Sequence, residues 1–400
     1  MANISTKAQQ MPASAIRKLV PFADAAKKEG VKVYHLNLGQ PDIKSPECAL
    51  AAIKNYSAAN ISYSHSGGLM ELRKGLVDKY YRKIGIDINV DELIVTVAGS
   101  ESVNLALEIA CDPGDEVLVL EPFYTNYNTF AFMNKLTLKA IATDIRNGFQ
   151  IPPIEEFEKA ITPKTKAILI CNPGNPTGTQ YSKESMLALG EIARKHDLFL
   201  LSDEVYREFC YTDEPHFSAM NIPGLEQNVI LIDSVSKRYN LCGARIGCIV
   251  SHNKDVIAAV MKFAQARLCA PVLGQMAAIG ALDTPDYYFD AVKEEYIRRR
   301  DYMIERLNQM EGVFTPLPMG AFYTIAELPV DDTEKFAKWM LENFRIDNET
   351  TMVTPAASFY KTPGKGLNHA RIAYVLEIPE MEKALKILEE GLKQYPGRTL

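Results

Sequence analysis

Short apolar runs alternate with amphipathic helical segments between residues 90 and 250, and this alternation constrains the fold more than any other feature of the sequence. Most runs are nearly continuous in apolar residues, which is typical of strands covered on both faces. The helical segment at 182–197 begins at Ser182, a good N-cap residue, with Glu184 in its first turn. The runs are 93–98, 116–121, 136–142, 166–171, 198–203, 229–233 and 246–250. They predict an α/β fold with a mostly parallel, seven-stranded sheet covered by helices.

The pattern changes after the last of these strands. Residues 286–310 read as one long, charged helix, and shorter strands and two amphipathic helices follow, one of them at 380–395. A chain of 400 residues also exceeds what one hydrophobic core usually organises. The sequence therefore predicts a large α/β domain at 46–285, and a smaller α+β domain formed by 1–45 together with 286–400.

Composition excludes several classes of function. The net charge of −6, with basic residues spread along the chain, gives no basic surface for nucleic acid. No apolar stretch approaches the roughly 18 residues of a membrane span, and the N-terminal residues lack a secretory signal. The seven cysteines form no CxxC pair, so neither a metal site nor a disulfide framework is expected. We expect a cytoplasmic protein that binds no nucleic acid, membrane or metal.

Polar segments follow several predicted strands, at the edge where parallel sheets bind ligands. CNPGNPTG (171–178) contains two Asn-Pro steps, where a cis bond is possible, and SDEVYREF (202–209) pairs carboxylates with a tyrosine. AGSES (98–102) opens a helix whose backbone amides suit an anion. SVSKRYNLCGARIGC (234–248) puts Lys237 at the end of a buried strand. Taken singly, these are also ordinary turns, helix starts and a surface lysine.

Together, these segments resemble the pyridoxal-phosphate enzymes of the aspartate aminotransferase superfamily, the class I/II aminotransferases of fold type I. The resemblance extends from LNLGQPD (36–42) to HARIAYVL (369–376). Its most specific parts are NPGNPTG, SDEVY and SVSKRYNLCGARIG, which occur in the family's order and near its usual spacings. The resemblance implies pyridoxal 5′-phosphate as the cofactor, and amino acids and 2-oxo acids as substrates.

The resemblance also assigns the catalytic residues. Lys237 matches the lysine that forms a Schiff base with the cofactor aldehyde and, once released, moves the substrate proton. Asp203 matches the carboxylate that keeps the ring nitrogen protonated, so that the ring withdraws electrons. Tyr206 and Asn175 match the donors to the phenolic oxygen of the ring. The predicted catalytic residues are therefore Lys237, Asp203 and Tyr206.

Further positions match the rest of the cofactor site. The residues that match the phosphate-binding set are Arg245, Ser234 and Ser236, with the backbone amides of Ser100 and Glu101. Tyr124 matches the aromatic residue that stacks on the cofactor ring. Tyr63 matches a tyrosine that reaches the phosphate of the neighbouring subunit. The resemblance therefore implies a homodimer with shared active sites.

Substrate recognition is assigned in the same way. Arg371 matches the arginine that holds the substrate α-carboxylate in bidentate fashion, with Asn175 and the backbone of Gly39 beside it. Arg267 lies near the position of a partner-derived arginine that reads a distal carboxylate in some aspartate-specific members. A solvated arginine at a helix end explains Arg267 equally well. The stretch SAIRKLVPFA (14–23) could instead line a pocket for aromatic or aliphatic side chains.

The sequence thus indicates an aminotransferase that exchanges an amino group between an L-amino acid, with aspartate favoured, and 2-oxoglutarate by a ping-pong mechanism. An aromatic or alanine-type aminotransferase and a pyridoxal-phosphate-dependent β-lyase use the same catalytic set, and both stay open. A non-catalytic module that binds the cofactor for regulation is disfavoured, because every matched position carries a chemically competent residue.

Overall fold

The computed structural model describes residues 2–12, 14 and 16–400. The strands, in chain order, are β1 Lys32–His35, β2 Leu93–Thr96, β3 Glu116–Glu121, β4 Thr137–Ala142, β5 Thr165–Cys171, β6 Phe199–Asp203, β7 Val229–Ser234, β8 Gly247–Val250, β9 Tyr323–Glu327, β10 Glu349–Met352, β11 Thr354–Pro355 and β12 His369–Ala373. The helices are α1 Thr6–Gln10, α2 Val20–Lys28, α3 Glu47–Lys54, α4 Met70–Gly75, α5 Ala98–Ala110, α6 Asn126–Met133, α7 Ile154–Ala160, α8 Lys183–Lys195, α9 Val235–Arg238, α10 Lys254–Arg267, α11 Val272–Ala281, α12 Asp286–Gln309, α13 Thr333–Asn343 and α14 Ile378–Gln394. A π-helical turn, Leu76–Tyr81, continues α4.

A seven-stranded sheet organises the larger part of the chain, with the strand order β2-β8-β7-β6-β5-β3-β4. All seven predicted runs are strands of this sheet, which confirms the predicted mostly parallel α/β fold. Of the strands described in this sheet, only β8 runs antiparallel to its neighbours, β2 and β7. The connection from β7 to β8 holds the short helix α9 and one 3₁₀ turn, and no covering helix. The chain therefore returns antiparallel, because a parallel crossover usually needs a helix across the sheet face.

Helices cover both faces of this sheet. Leu231 of β7 packs into one apolar cluster with residues of α4, α8 and α11, and the next residue, Ile232, packs into another with residues of α5, α6 and α10. This two-sided burial explains why the strand sequences do not alternate. The predicted helix at 182–197 is α8, and the Ser182 hydroxyl accepts a hydrogen bond from the Ser185 amide at 3.2 Å, as expected of its N-cap.

The smaller part of the fold packs over the carboxyl ends of the parallel strands. The predicted helix at 286–310 is α12, which is 24 residues long, and the one at 380–395 is α14. Strands β11, β12 and β9 form an antiparallel sheet, and β1 pairs in parallel with β10, which ties the N-terminal segment to the C-terminal part. The domain limits at residues 46 and 286 stay a prediction.

One apolar cluster joins the two parts and places the site. Tyr206 and Phe209, which follow β6, pack with Phe322 and Tyr323 at the start of β9. The rings of Tyr206 and Tyr323 meet edge to face, with centroids 5.7 Å apart. A residue of the smaller part is thereby held at the end of a central strand. Among the residues that the structure describes, no helix combines the length and the apolar character needed to span a membrane.

Candidate active site

A cavity of about 800 Å³ opens at the carboxyl ends of the central strands. Parallel strands end at the same edge of a sheet, so polar segments that are far apart in sequence meet there. The residues predicted from the sequence that line this cavity are Gly39, Ser100, Tyr124, Asn175, Asp203, Tyr206, Ser234, Ser236, Lys237, Arg245 and Arg371. Three predicted residues, Glu101, Tyr63 and Arg267, are not among its lining residues.

Lys237 lies in the one-turn helix α9, directly after β7. Ser234 caps this helix, since its hydroxyl accepts a hydrogen bond from the Ser236 amide at 3.1 Å. The Lys237 ammonium donates to the Gly39 carbonyl at 2.7 Å, and the Cys242 sulfur lies 3.8 Å from Nζ. The side chain is therefore held across the cavity by the N-terminal segment of the chain.

Burial lowers the pKa of Lys237, and the nearby positive charges of Arg371 and Arg245 act in the same direction. The pairing with Cys242 only partly opposes this shift. Because the pKa is lowered, the neutral amine is more abundant at a given pH than it is in a free lysine. A neutral amine is the form that attacks a carbonyl and accepts a proton.

A buried ionic network anchors α9 to the end of β7 and to Glu208. Arg238, the residue after Lys237, donates to both carboxylate oxygens of Asp233, at 2.6 and 2.9 Å, and to Glu208 at 2.8 Å. Although burial raises it, the guanidinium groups of Arg238 and Arg207 hold the pKa of Asp233 below its usual value. Breaking such a buried pair is costly, so the network fixes the backbone that carries Lys237.

Asp203 is the last residue of β6 and is only 5% exposed. The Tyr127 hydroxyl donates to its Oδ2 at 2.8 Å, and the Val205 amide lies 3.4 Å from Oδ1. Burial raises the pKa of Asp203 to about 6. Within the described ranges, no cationic side chain forms an ion pair with this carboxylate. A protonated ring nitrogen would supply the missing positive charge, so the position fits a pyridine cofactor.

Two tyrosines and an amide form a hydrogen-bonded group beside Asp203. Asn175 Nδ2 donates to the Tyr206 hydroxyl at 3.3 Å, and the hydroxyls of Tyr206 and Tyr323 are 3.0 Å apart. Burial raises the pKa of Tyr206 well above its usual value and that of Tyr323 to about 12. Both phenols therefore stay protonated at neutral pH and can donate to an anionic oxygen. Both Asn-Pro steps of the NPGNPTG segment, Asn172-Pro173 and Asn175-Pro176, are cis.

The start of α5 and the β7–α9 turn form a cradle for an anion. The hydroxyls of Ser234 and Ser236 lie 2.8 Å apart, and Ser100 and Arg245 line the same cavity. Gly247 of β8 allows the close approach of α5, because a Cβ at this position would lie 2.5 to 2.8 Å from three backbone atoms. Backbone amides at a helix start, two hydroxyls and a guanidinium together fit a phosphate group.

Arg371 of β12 is only 2% exposed, and it faces the cavity from the smaller part of the fold. Its Nη1 donates to Asn175 Oδ1 at 3.1 Å and its Nη2 to the Asn37 carbonyl at 2.8 Å. Nε has no hydrogen-bond partner, and in residues 2–12, 14 and 16–400 no acidic side chain pairs with the guanidinium. A buried charge without a counter-charge is costly, so this position suits the carboxylate of a ligand.

The three remaining predicted residues lie elsewhere. Arg267 Nε lies 3.1 Å from the Glu101 carboxylate, and its Nη2 donates to the carbonyls of Ser66 and Val95, each at 3.2 Å. Tyr63 is 79% exposed, as expected of a side chain that reaches another subunit. The assigned roles of all three residues stay predictions.

Several contacts were missed by the sequence interpretation. Tyr323 and Asn37 come from the smaller part of the fold and carry no local signal for their contacts. Tyr127 follows Tyr124 by three residues in the EPFYTNY segment, and this helical spacing could have indicated it. Of the stretch 14–23, Ser14, Ile16, Arg17 and Val20 line the cavity, whereas Ala15 lies outside the described residues.

The chain is similar in sequence and in structure to proteins of one known family. The family model described as aminotransferase class I and II matches residues 31–388. An aspartate aminotransferase of Thermotoga maritima is 30% identical over 390 residues, which cover 97% of this chain and 99% of the relative. The structure of Thermus thermophilus aspartate aminotransferase with maleate has a TM-score of 0.88 at 30% identity, and that of an alanine aminotransferase from Pyrococcus furiosus has 0.88 at 31%. Each comparison covers 98% of this chain and 100% of the solved one.

Proposed function

The chain belongs to the class I and II aminotransferases, and from this premise we propose that it exchanges the amino group between L-aspartate and 2-oxoglutarate by a ping-pong mechanism. Enzymes of this family use pyridoxal 5′-phosphate. One observation carries the proposal: a buried arginine without an acidic partner, Arg371, faces the same cavity as Lys237, whose pKa is lowered. These two groups suit the α-carboxylate and the reacting centre of an amino acid. We propose aspartate as the donor because two relatives of this chain are named aspartate aminotransferase and aspartate/prephenate aminotransferase.

The described residues fit the cofactor. Asp203 would hold the ring nitrogen, and Tyr206 with Asn175 would hold the phenolic oxygen. Ser100, Ser234, Ser236, Arg245 and the first amides of α5 would hold the phosphate. Pyridoxal 5′-phosphate supplies an aldehyde and a ring that spreads the negative charge developing at the substrate Cα.

The side chains of this protein bind the substrate and move its proton. Arg371 fixes the α-carboxylate through two parallel hydrogen bonds, which orients the Cα–H bond in the cavity. The neutral amine of Lys237 accepts the Cα proton and returns a proton on the product side. Its lowered pKa suits both directions, because an amine of very high pKa would stay protonated at neutral pH. Tyr206 and Tyr323 remain hydrogen-bond donors throughout.

A homodimer with shared active sites is part of the proposal. Tyr63 and the nearby Ile61 are 79% and 63% exposed, an unusual exposure for two large apolar side chains close in sequence. A partner subunit that covers this segment would bury both side chains. Tyr63 would then lie beside the cofactor phosphate of that partner subunit. Sedimentation equilibrium of the holoenzyme should give twice the chain mass, and a mass of one chain at micromolar concentration contradicts the dimer.

The half-reaction with L-aspartate alone tests the proposed chemistry. In the absence of any oxo acid, we expect one oxaloacetate per active site, no ammonia, and loss of the absorption of the cofactor's aldehyde form. Adding 2-oxoglutarate should restore that absorption and release glutamate. Continuous release of ammonia, with the aldehyde absorption unchanged, would instead identify a lyase.

A further inference from the structure

Charged side chains are unevenly distributed around the active-site cavity. Among the described residues, its lining contains four cations, Lys237, Arg245, Arg371 and Arg17, and a single acidic residue, Asp203. Under the proposed function, four of these five groups have a partner on the cofactor or on the α-carboxylate of the substrate. Arg17 has none. An arginine that lines a cavity for anionic ligands and has no partner there is available to bind a further anionic group on the ligand.

Arg17 forms no ion pair within the described part of the chain. The residue is exposed, and among the residues described no carboxylate lies within ion-pair distance of it. The next cation in the chain, Lys18, behaves differently, because it pairs with Glu334 of α13 and is not among the residues that line the cavity. The two adjacent cations are therefore separated: one serves the packing of the N-terminal segment, and the other stays available at the cavity.

The segment that carries Arg17 is anchored. The Val20 amide donates to the Arg17 carbonyl at 3.0 Å, which closes a turn just before α2, and Leu19 is 3% exposed within the apolar cluster of the smaller part. Ile16 and Val20, on either side of Arg17, also line the cavity. This combination offers apolar walls for methylene groups and a guanidinium for a terminal carboxylate.

We propose that Arg17 binds the distal carboxylate of dicarboxylic substrates, such as aspartate, glutamate and 2-oxoglutarate. This inference rests on the proposed function, since it assumes that Arg371 takes the α-carboxylate. In the sequence, Arg267 is the candidate for the distal carboxylate, with a solvated arginine at a helix end as an equal alternative. In this chain, however, the Arg267 guanidinium already meets Glu101 at 3.1 Å and two backbone carbonyls. Among the residues described, the Arg17 guanidinium has no such contacts.

The test compares Arg17→Gln with the unchanged holoenzyme in half-reactions with aspartate, glutamate, alanine and phenylalanine, which need no oxo acid. A charge-assisted hydrogen bond contributes enough that kcat/KM for aspartate and glutamate should fall about ten- to a hundredfold. For alanine and phenylalanine it should change less than about threefold. Binding of succinate to the holoenzyme, measured by calorimetry, should weaken in parallel. Because Arg17 is exposed, the substitution should leave the melting temperature unchanged.

Two further variants make the result specific. Lys18→Gln removes an equal charge one residue away, and it should leave the preference for dicarboxylic donors intact. Arg267→Gln tests the earlier assignment directly. Equal losses for all four donors in Arg17→Gln, no loss in it, or a selective loss confined to Arg267→Gln overturns the role of Arg17. If the unchanged holoenzyme converts none of the donors, the proposed function itself fails; if it converts them all, only the Arg17 result is at issue.

Discussion

Replacing Lys237 by alanine should abolish transamination. The amine is the proposed point of covalent attachment for the cofactor and the proposed base at the substrate Cα. Loss of a general base alone lowers a rate by a factor of about 10² to 10⁴, and loss of the attachment adds to this. The measurement is single-turnover formation of oxaloacetate from aspartate, with saturating pyridoxal 5′-phosphate so that weakened cofactor binding does not limit the rate.

A lysine of the same fold serves as the control for this substitution. Lys254 is exposed at the first position of α10, so Lys254→Ala should keep the full rate. The melting temperature of Lys237→Ala should stay close to that of the unchanged protein, because Arg238 still anchors α9 through Asp233. A rate for Lys237→Ala within tenfold of the unchanged enzyme contradicts the assignment.

Arg371→Gln should lower kcat/KM for every amino acid by a factor of about 10² to 10³, because the α-carboxylate would enter a buried position without its counter-charge. The kcat/KM of Arg371→Lys should lie between those of the unchanged enzyme and Arg371→Gln, since lysine keeps the charge but loses the planar, two-pronged geometry. The measurement is the half-reaction across the same four donors. The loss should be uniform across them, in contrast to the selective loss expected for Arg17.

Amines without an α-carboxylate provide the internal control for Arg371. The unchanged enzyme should process such an amine slowly, and Arg371→Gln should process it at nearly the same rate. If the rate of Arg371→Gln falls as much with the amine as with the amino acid, Arg371 supports the fold and does not bind the carboxylate.

Much of the fold could be predicted because its signals are local. Each strand of the large sheet is a short apolar run, and several of the runs end at a motif whose residue types suit a ligand. Parallel strands bring these ends together, so Asp203, Asn175 and Lys237 could be placed in one cavity without any distance being known. The sequence did not predict that β8 runs antiparallel. This direction results from the absence of a crossover helix between β7 and β8.

What could not be predicted depends on contacts between distant segments. Tyr323 reaches the Tyr206 hydroxyl only because β9 packs over the end of β6. The pairing of Arg267 with Glu101 is likewise a tertiary contact, and it changes how an arginine at a helix end is interpreted. In the stretch 14–23 the sequence emphasised apolar character. The fold brings the guanidinium of Arg17 to the same cavity as those apolar side chains.

Borohydride reduction of the holoenzyme, followed by peptide mapping, tests the central assignment most directly. Reduction fixes the cofactor wherever it is bound to an amine. The expected result is a single modified peptide, with the cofactor on Lys237 and none on Lys254 or any other lysine. Fixation at a different lysine, or a protein that carries no fixed cofactor after reduction, would contradict the assignment of Lys237.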